Sequence, residues 1–131
     1  MKSREPLIRA KKFQIDDMRR RVAQIDTMIA DFERMAVDLD RDIAAEEGRT
    51  GVNDPNHFAY SPLALASRGR RDNLRRSVDD LVAQRDAAAK TLAEAEAELV
   101  LAEAADSLDR TAKPELGATR GAWRPLDMPR H

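Results

Sequence analysis

Apolar residues recur along the first part of the chain at alternating spacings of four and three. Counted from Ile8, the heptad a positions are Ile8, Ile15, Val22, Ile29, Ala36 and Ile43, and the d positions are Lys11, Met18, Ile25, Phe32, Leu39 and Glu46. A 3.5-residue period held over about six heptads marks the seam of a coiled coil. No glycine interrupts it before Gly48, and no proline after Pro6. Ser3 is placed to cap the start, and Pro6 falls in the first turn, where its missing N–H costs little. Gly48 offers a stop. The pattern predicts a helix over about 4–47.

The period returns after Ser61 and Pro62, a capping residue followed by proline at the first helical position. Its a positions are Arg71, Val78, Arg85, Leu92 and Leu99, and its d positions are Leu74, Leu81, Ala88, Ala95 and Ala102. Gly69 weakens the first turns, by about 1 kcal/mol relative to alanine. Pro114 is expected to end this helix near Ala112, so the second helix covers about 63–112. Residues 113–131 contain Gly117, Gly121, Pro125 and Pro129 with little apolar periodicity, and read as a disordered tail.

Folding the chain at a loop over 48–62 sets a positions of one run against d positions of the other. Ala36 then faces Leu74, Phe32 faces Val78, Ile29 faces Leu81, Val22 faces Ala88 and Met18 faces Leu92, so larger side chains tend to meet smaller ones. The flanking e positions carry opposite charges in the same register. Asp40 comes near Arg68, Glu33 near Arg75 and Lys12 near Glu96, and on the g side Asp42 approaches Arg70. Glu5 with Glu103 is the like pair. Exposed ion pairs contribute about 0.2–1 kcal/mol each, so they set direction and register more than strength. The expected fold is all-α: a long antiparallel two-helix coiled-coil hairpin over 1–112, followed by the tail.

Composition fits a thin seam. Charged residues make up 36% and aromatic residues 4%, which is poor material for a thick globular core. The 23 basic and 24 acidic residues leave a net charge of -1, against a dedicated nucleic-acid binder. There is no cysteine, hence no disulfide framework or thiolate metal site. The start MKSREPLIRAKKF has no apolar signal core, and no apolar run approaches the roughly 18 residues of a membrane span. No membrane insertion and a cytoplasmic location are expected.

Candidate chemistry is sparse. No nucleophile stands beside a base, and there is no glycine-rich phosphate loop. No catalytic residue, cofactor or metal is expected; Asp54, Asn56 and His57 resemble a ligand set, but the other histidine is His131, the last residue. The acidic pairs, Glu46-Glu47 among them, read as solvated helix surface. Arg85 at a seam position is expected to extend its head to Asp26 or to solvent. Met28 and Met35, at g, widen the seam. Phe13 falls at an f position, away from the seam, beside Arg9, Lys12 and Arg20. With Arg9 and Arg20 it is a candidate partner contact. The loop GRTGVNDPNHFAYSP is long for a connector, and such loops are often functional. It carries Asn56, His57, Phe58 and Tyr60. Phe58 is expected to fold back over the last seam layer, with direct partner recognition as the second reading. Arg70, Arg71 and Asn73 adjoin the loop and complete the candidate contacts.

Several segments are similar to one family. The start MKSREPLIRAKKFQIDD, the stretch RRRVAQIDTMIADFERMAVDLDRDIAAEE, the loop DPNHFAYSP and the following RRDNLRRSVDDL resemble the alphaproteobacterial branch of the flagellar export protein FliJ family. The likeness covers residues 1 to about 110 and is a whole-segment likeness; its loop portion is the most specific, because no heptad dictates it. From Ser107 the chain departs from the family pattern, TAKPELGATRGAWRPLDMPRH standing where a continued charged helix is expected. The resemblance implies a hairpin similar in shape to the central stalk of rotary ATPases. It implies a place in flagellar type III export, cytoplasmic and peripheral to the inner membrane at the flagellar base. The implied partners are the flagellar export ATPase, the membrane export gate protein and export chaperones. Two other classes use the same architecture: a holdase-type chaperone with an exposed apolar groove, and an RNA-gripping helical arm, which needs a surplus of unpaired arginines.

Overall fold

The computed structural model describes the backbone of residues 4–126 and the side chains of residues 4–111. Among the described residues there are two α-helices and no strand. Helix α1 spans Arg4–Thr50 and helix α2 spans Pro62–Leu126. The chain divides into two compact units, a first made of Met1–Met18 and Thr91–His131 and a second made of Arg19–Lys90.

The helix ends follow local chemistry, with two corrections to the expected bounds. Helix α1 passes through Gly48 and stops at Thr50. The stop is Gly51, whose φ of 76° lies in the left-handed region and whose N–H donates to the Glu47 carbonyl at 2.8 Å. That is the αL helix cap, which glycine adopts without a Cβ penalty. Gly48 keeps helical dihedrals, so a glycine alone does not end a helix. The connection is therefore residues 51–61. Helix α2 begins as expected: the Ser61 hydroxyl accepts the Ala64 N–H at 3.2 Å, an N-cap bond to the third helical residue, with Pro62 at the first position. Its end is the second correction. Helical backbone continues past Ala112 and Pro114 to Leu126. An internal proline removes one donor and bends a helix without an obligatory stop. Residues 127–131 of the expected tail lie outside the described residues.

In the second unit, Ile25, Ile29 and Leu81 are buried together, and Phe32, Val78, Val82 and Ala88 pack against them. Ile29 with Leu81 and Phe32 with Val78 are the neighbours the heptads predict. Ion pairs line this seam. Glu47 holds Arg68 at 3.1 Å, Asp40 holds Arg71 at 2.9 Å and Arg75 at 3.0 Å, and Asp26 holds Arg85 at 2.7 Å. Numbers rise along α1 as they fall along α2.

The first unit buries Ile15 and Asp106. Its cross-helix pairs include Arg4 with Asp109 at 2.9 Å, Glu5 with Arg110 at 3.1 Å, Lys11 with Glu98 at 3.5 Å and Lys12 with Glu103 at 3.3 Å.

The charge partners differ from expectation in both units, always in one direction. Arg68 bonds Glu47, not Asp40; Arg75 bonds Asp40, not Glu33; Lys12 bonds Glu103, not Glu96. The apolar cluster of the second unit is made of a and d positions of the two heptad runs, Val82 apart. In a helix every Cα–Cβ bond tilts toward the N-terminus, so a long side chain covers the turn before its own Cα. Where numbers run oppositely, two such side chains meet when both start further along their own helices. In these three pairs the partner therefore lies one heptad beyond the one expected. Glu5 and Glu103, the expected like pair, each find a cation instead. Asp42 and Arg70 form no ion pair.

Candidate partner-binding surfaces

The connection 51–61 is ordered by its own hydrogen bonds. The His57 N–H donates to the Asp54 carbonyl and the Tyr60 N–H to the His57 carbonyl, both at 3.0 Å, making two successive turns. The Asp54 carboxylate accepts the Asn56 N–H at 2.9 Å, an Asx turn with Pro55 setting φ at its second position. The His57 Nδ1 accepts the Ala59 N–H at 2.9 Å. The His57 and Phe58 rings stack with centroids 4.7 Å apart.

Tyr60, not Phe58, packs inward. Tyr60 is 7% exposed and Phe58 is 96% exposed, which reverses the expectation that Phe58 folds over the last seam layer. The physical reason is the phenol. The Tyr60 hydroxyl donates to Glu47 Oε2 at 2.6 Å and accepts from Arg68 Nε at 2.8 Å, while the Arg68 guanidinium also reaches Glu47. A tyrosine supplies both an apolar body and a polar tip for this place, and phenylalanine has no tip. The Tyr60 hydroxyl and the Arg68 guanidinium hold the Glu47 carboxyl below its usual range, and Tyr60 and Glu47 raise Arg68. Glu47 is thus a structural partner and not the solvated surface expected of it. The triad ties α1, the loop and α2 of the second unit.

The residues next to the loop separate into two kinds. Arg71 is drawn into the seam, its side chain 14% exposed, bonded to Asp40 and to Asp72. Asp40 is the main cause of its raised pKa. It is engaged within the chain by both acids. Arg85 behaves likewise, bonded to Asp26 as expected and to Asp86, with Asp26 the main cause of its raised pKa. Arg70 and Asn73 instead line a shallow groove with Phe32, Met35, Leu39 and Leu74, and Asn73 accepts a hydrogen bond from Arg76. Met28 and Met35 are about half exposed, so they border the seam without closing it.

Of the other candidates, Arg9 and Phe13 belong to the first unit and Arg20 to the second. Phe13 is 70% exposed. Arg9 lines a cleft with Ile8, Lys12, Glu103, Asp106 and Arg110, and Arg20 lines a groove with Ala23, Thr27 and Met28. Asp106 is a residue that sequence reasoning missed. Its Oδ2 bonds Arg110 at 3.1 Å, while its buried Oδ1 has no hydrogen-bond partner. The signal was available, since Asp106 is the a position seven residues after Leu99.

Among the described residues, no group of three or more His, Asp and Glu side chains is placed to hold a metal ion. No helix among them is long and apolar enough to cross a membrane. Comparison with protein-family models, with curated proteins and with solved structures finds no match.

Proposed function

We propose that the chain is a long antiparallel two-helix coiled-coil hairpin serving as a non-enzymatic part of the flagellar type III protein export apparatus. In this reading it is a stalk that links the export ATPase to the membrane export gate protein and escorts export chaperones, in the cytoplasm at the flagellar base. The observation that carries the hairpin is the order of the cross-helix ion pairs, falling along α2 as they rise along α1 in each unit. The flagellar role is supported by the likeness of residues 1 to about 110 to the FliJ family, above all in the loop segment DPNHFAYSP. Exposed Phe13 and Arg9 are the contacts proposed for the ATPase. The loop, with Asn56, His57, Phe58, Arg70 and Asn73, is proposed for the gate.

The test is genetic and biochemical together. Deleting the gene from its own bacterium should abolish swimming, and the wild-type gene should restore it. The purified chain should bind the export ATPase and raise its rate of ATP hydrolysis. Phe13→Ala should weaken that effect while leaving helicity and melting nearly unchanged. A deletion strain that swims normally, with no binding to ATPase, gate protein or export chaperones, overturns the flagellar reading.

A further inference from the structure

The loop of the second unit holds one aromatic ring inside and pushes another out. A single exposed phenylalanine on a surface means little. The setting of Phe58 is different, because the backbone on both sides of it is fixed. Two turns, the Asx bond of Asp54 and the Nδ1 bond of His57 order residues 54–60. Tyr60, two residues on, is tied to Glu47 and Arg68. The Phe58 ring stacks on His57 and otherwise stands in water, 96% exposed. A connector between helices can be far shorter, and needs no aromatic residue. An aromatic side chain with two torsions on an ordered backbone loses little freedom on binding, which is how interface anchors reach high affinity.

We propose that Phe58, steadied by His57, is an insertion knob whose ring enters an apolar socket on a partner protein. This rests on the reading of the loop as a partner contact, and it does not depend on who the partner is. His57 is a positioning residue: its Nδ1 accepts the Ala59 N–H, so the neutral ring carries its proton on Nε2, free to bond the socket rim. Asn56 and Asp54 supply the polar border that surrounds an anchor. A lipid surface is the poorer occupant. Residues 50–67 contain no lysine or arginine and one acid, Asp54, and of the four arginines that flank them Arg49, Arg68 and Arg71 are bonded to Glu46, Glu47 and Asp40, whereas membrane-docking segments pair apolar residues with cations turned to the lipid.

The test places a benzophenone amino acid at position 58 of the full chain in its own bacterium, with position 13 and exposed position 84, on α2 away from the loop, as comparisons. The expected result is a discrete protein adduct from position 58, absent from position 84, identified by mass spectrometry. If the adduct is the export gate protein, this proposal and the flagellar reading both stand. If it is a protein outside the export apparatus, the knob stands and the gate assignment falls. The captured protein, once purified, should bind Phe58→Ala about 30-fold more weakly than wild type, the loss typical of a hot-spot anchor. Phe58→Ala should melt with the wild type. His57→Ala should lose less, and His57→Asn, whose side-chain oxygen can still accept the Ala59 N–H, should recover part of it. Three results overturn the knob: no protein adduct at position 58, unchanged affinity of Phe58→Ala, or wild-type binding to phosphatidylglycerol and phosphatidylethanolamine vesicles that Phe58→Ala loses.

Discussion

The second unit buries a cluster of aliphatic side chains, where the first buries Ile15 and a carboxylate. In the second, Ile25, Ile29 and Leu81 close on one another, and the arginines at seam positions, Arg71 and Arg85, each reach two acids. In the first, Asp106 sits at a seam position with one oxygen bonded to Arg110 and the other unbonded. Both are charged residues in an apolar stripe, and the difference is stem length. Arginine lays three methylenes along the seam and carries its head out to an acid. Aspartate has one methylene, so its carboxylate stays where it is buried. The two units also differ in what holds them. Apolar burial contributes about 25 cal/mol per Å², whereas an exposed ion pair contributes about 0–1 kcal/mol. The cross-helix pairs of the first unit are largely of the exposed kind; in Arg4–Asp109, Glu5–Arg110 and Lys12–Glu103 both side chains are 38% exposed or more.

The largest effect that would break this comparison is in the aliphatic cluster. Ile29→Ala removes a side chain 8% exposed that meets Ile25 and Leu81. Truncating a buried isoleucine costs about 2–5 kcal/mol, depending on how far the site collapses. In a seam with water on two flanks the loss should sit low in that range, about 2–3 kcal/mol. Urea denaturation followed by circular dichroism measures it. A loss under about 0.5 kcal/mol, the size of an ordinary surface change, would mean that the cluster does not hold the second unit.

A smaller effect of opposite sign is expected at Asp106. A buried carboxylate oxygen without a donor carries its desolvation penalty uncompensated, and replacing poorly satisfied buried charges by apolar groups is often stabilising. Asp106→Leu should therefore raise stability by about 1–2 kcal/mol, the lower half of what such replacements yield. Asp106→Asn, which removes the charge and keeps the size, should gain less. The same urea titration decides. If both variants are less stable than wild type, the Arg110 bond outweighs the orphan oxygen, and the two units handle seam charges alike.

The heptads made much of this fold legible. Ile29 against Leu81 and Phe32 against Val78 follow from period alone, because apolar layers depend on where Cα atoms lie. The ion pairs did not follow, because long side chains report where their tips go. Asp40 was matched with Arg68 by Cα register, and the backward tilt of Cβ gives it Arg71 and Arg75 instead. The stop at Gly51 was hidden for a related reason. Gly48 and Gly51 are the same residue type, and only the backbone tells which one turns left-handed. At the loop, the sequence marked out His57, Phe58 and Tyr60 as a group. It did not sort the inward ring from the outward one, since that depends on Glu47 and Arg68 arriving from two different helices.

The smallest effect concerns acid, and it sharpens the contrast from the side of the second unit. There a carboxylate is fully used: Glu47 takes the Tyr60 hydroxyl and the Arg68 guanidinium, and its pKa is lowered with Tyr60 the largest cause. A group whose pKa is lower folded than unfolded adds stability above its unfolded value. That contribution disappears as the pH falls through the folded value. The loop anchor should thus hold from neutral pH down through the ordinary carboxylate range and let go only below it. The chain has one tyrosine, so its ring resonances in a two-dimensional NMR spectrum report the anchor alone. In the wild type they should shift at a pH below the usual glutamate titration, and in Glu47→Gln that step should be gone while the helices stay folded. The unfolding free energy should change little between the two proteins near neutrality, because the carboxylate lies close to solvent and salt screens it. If the tyrosine step instead falls within or above the ordinary glutamate range, the two hydrogen bonds do not favour the charged form. The second unit would then hold an ill-satisfied carboxylate of its own, and the contrast with Asp106 would fail at the loop.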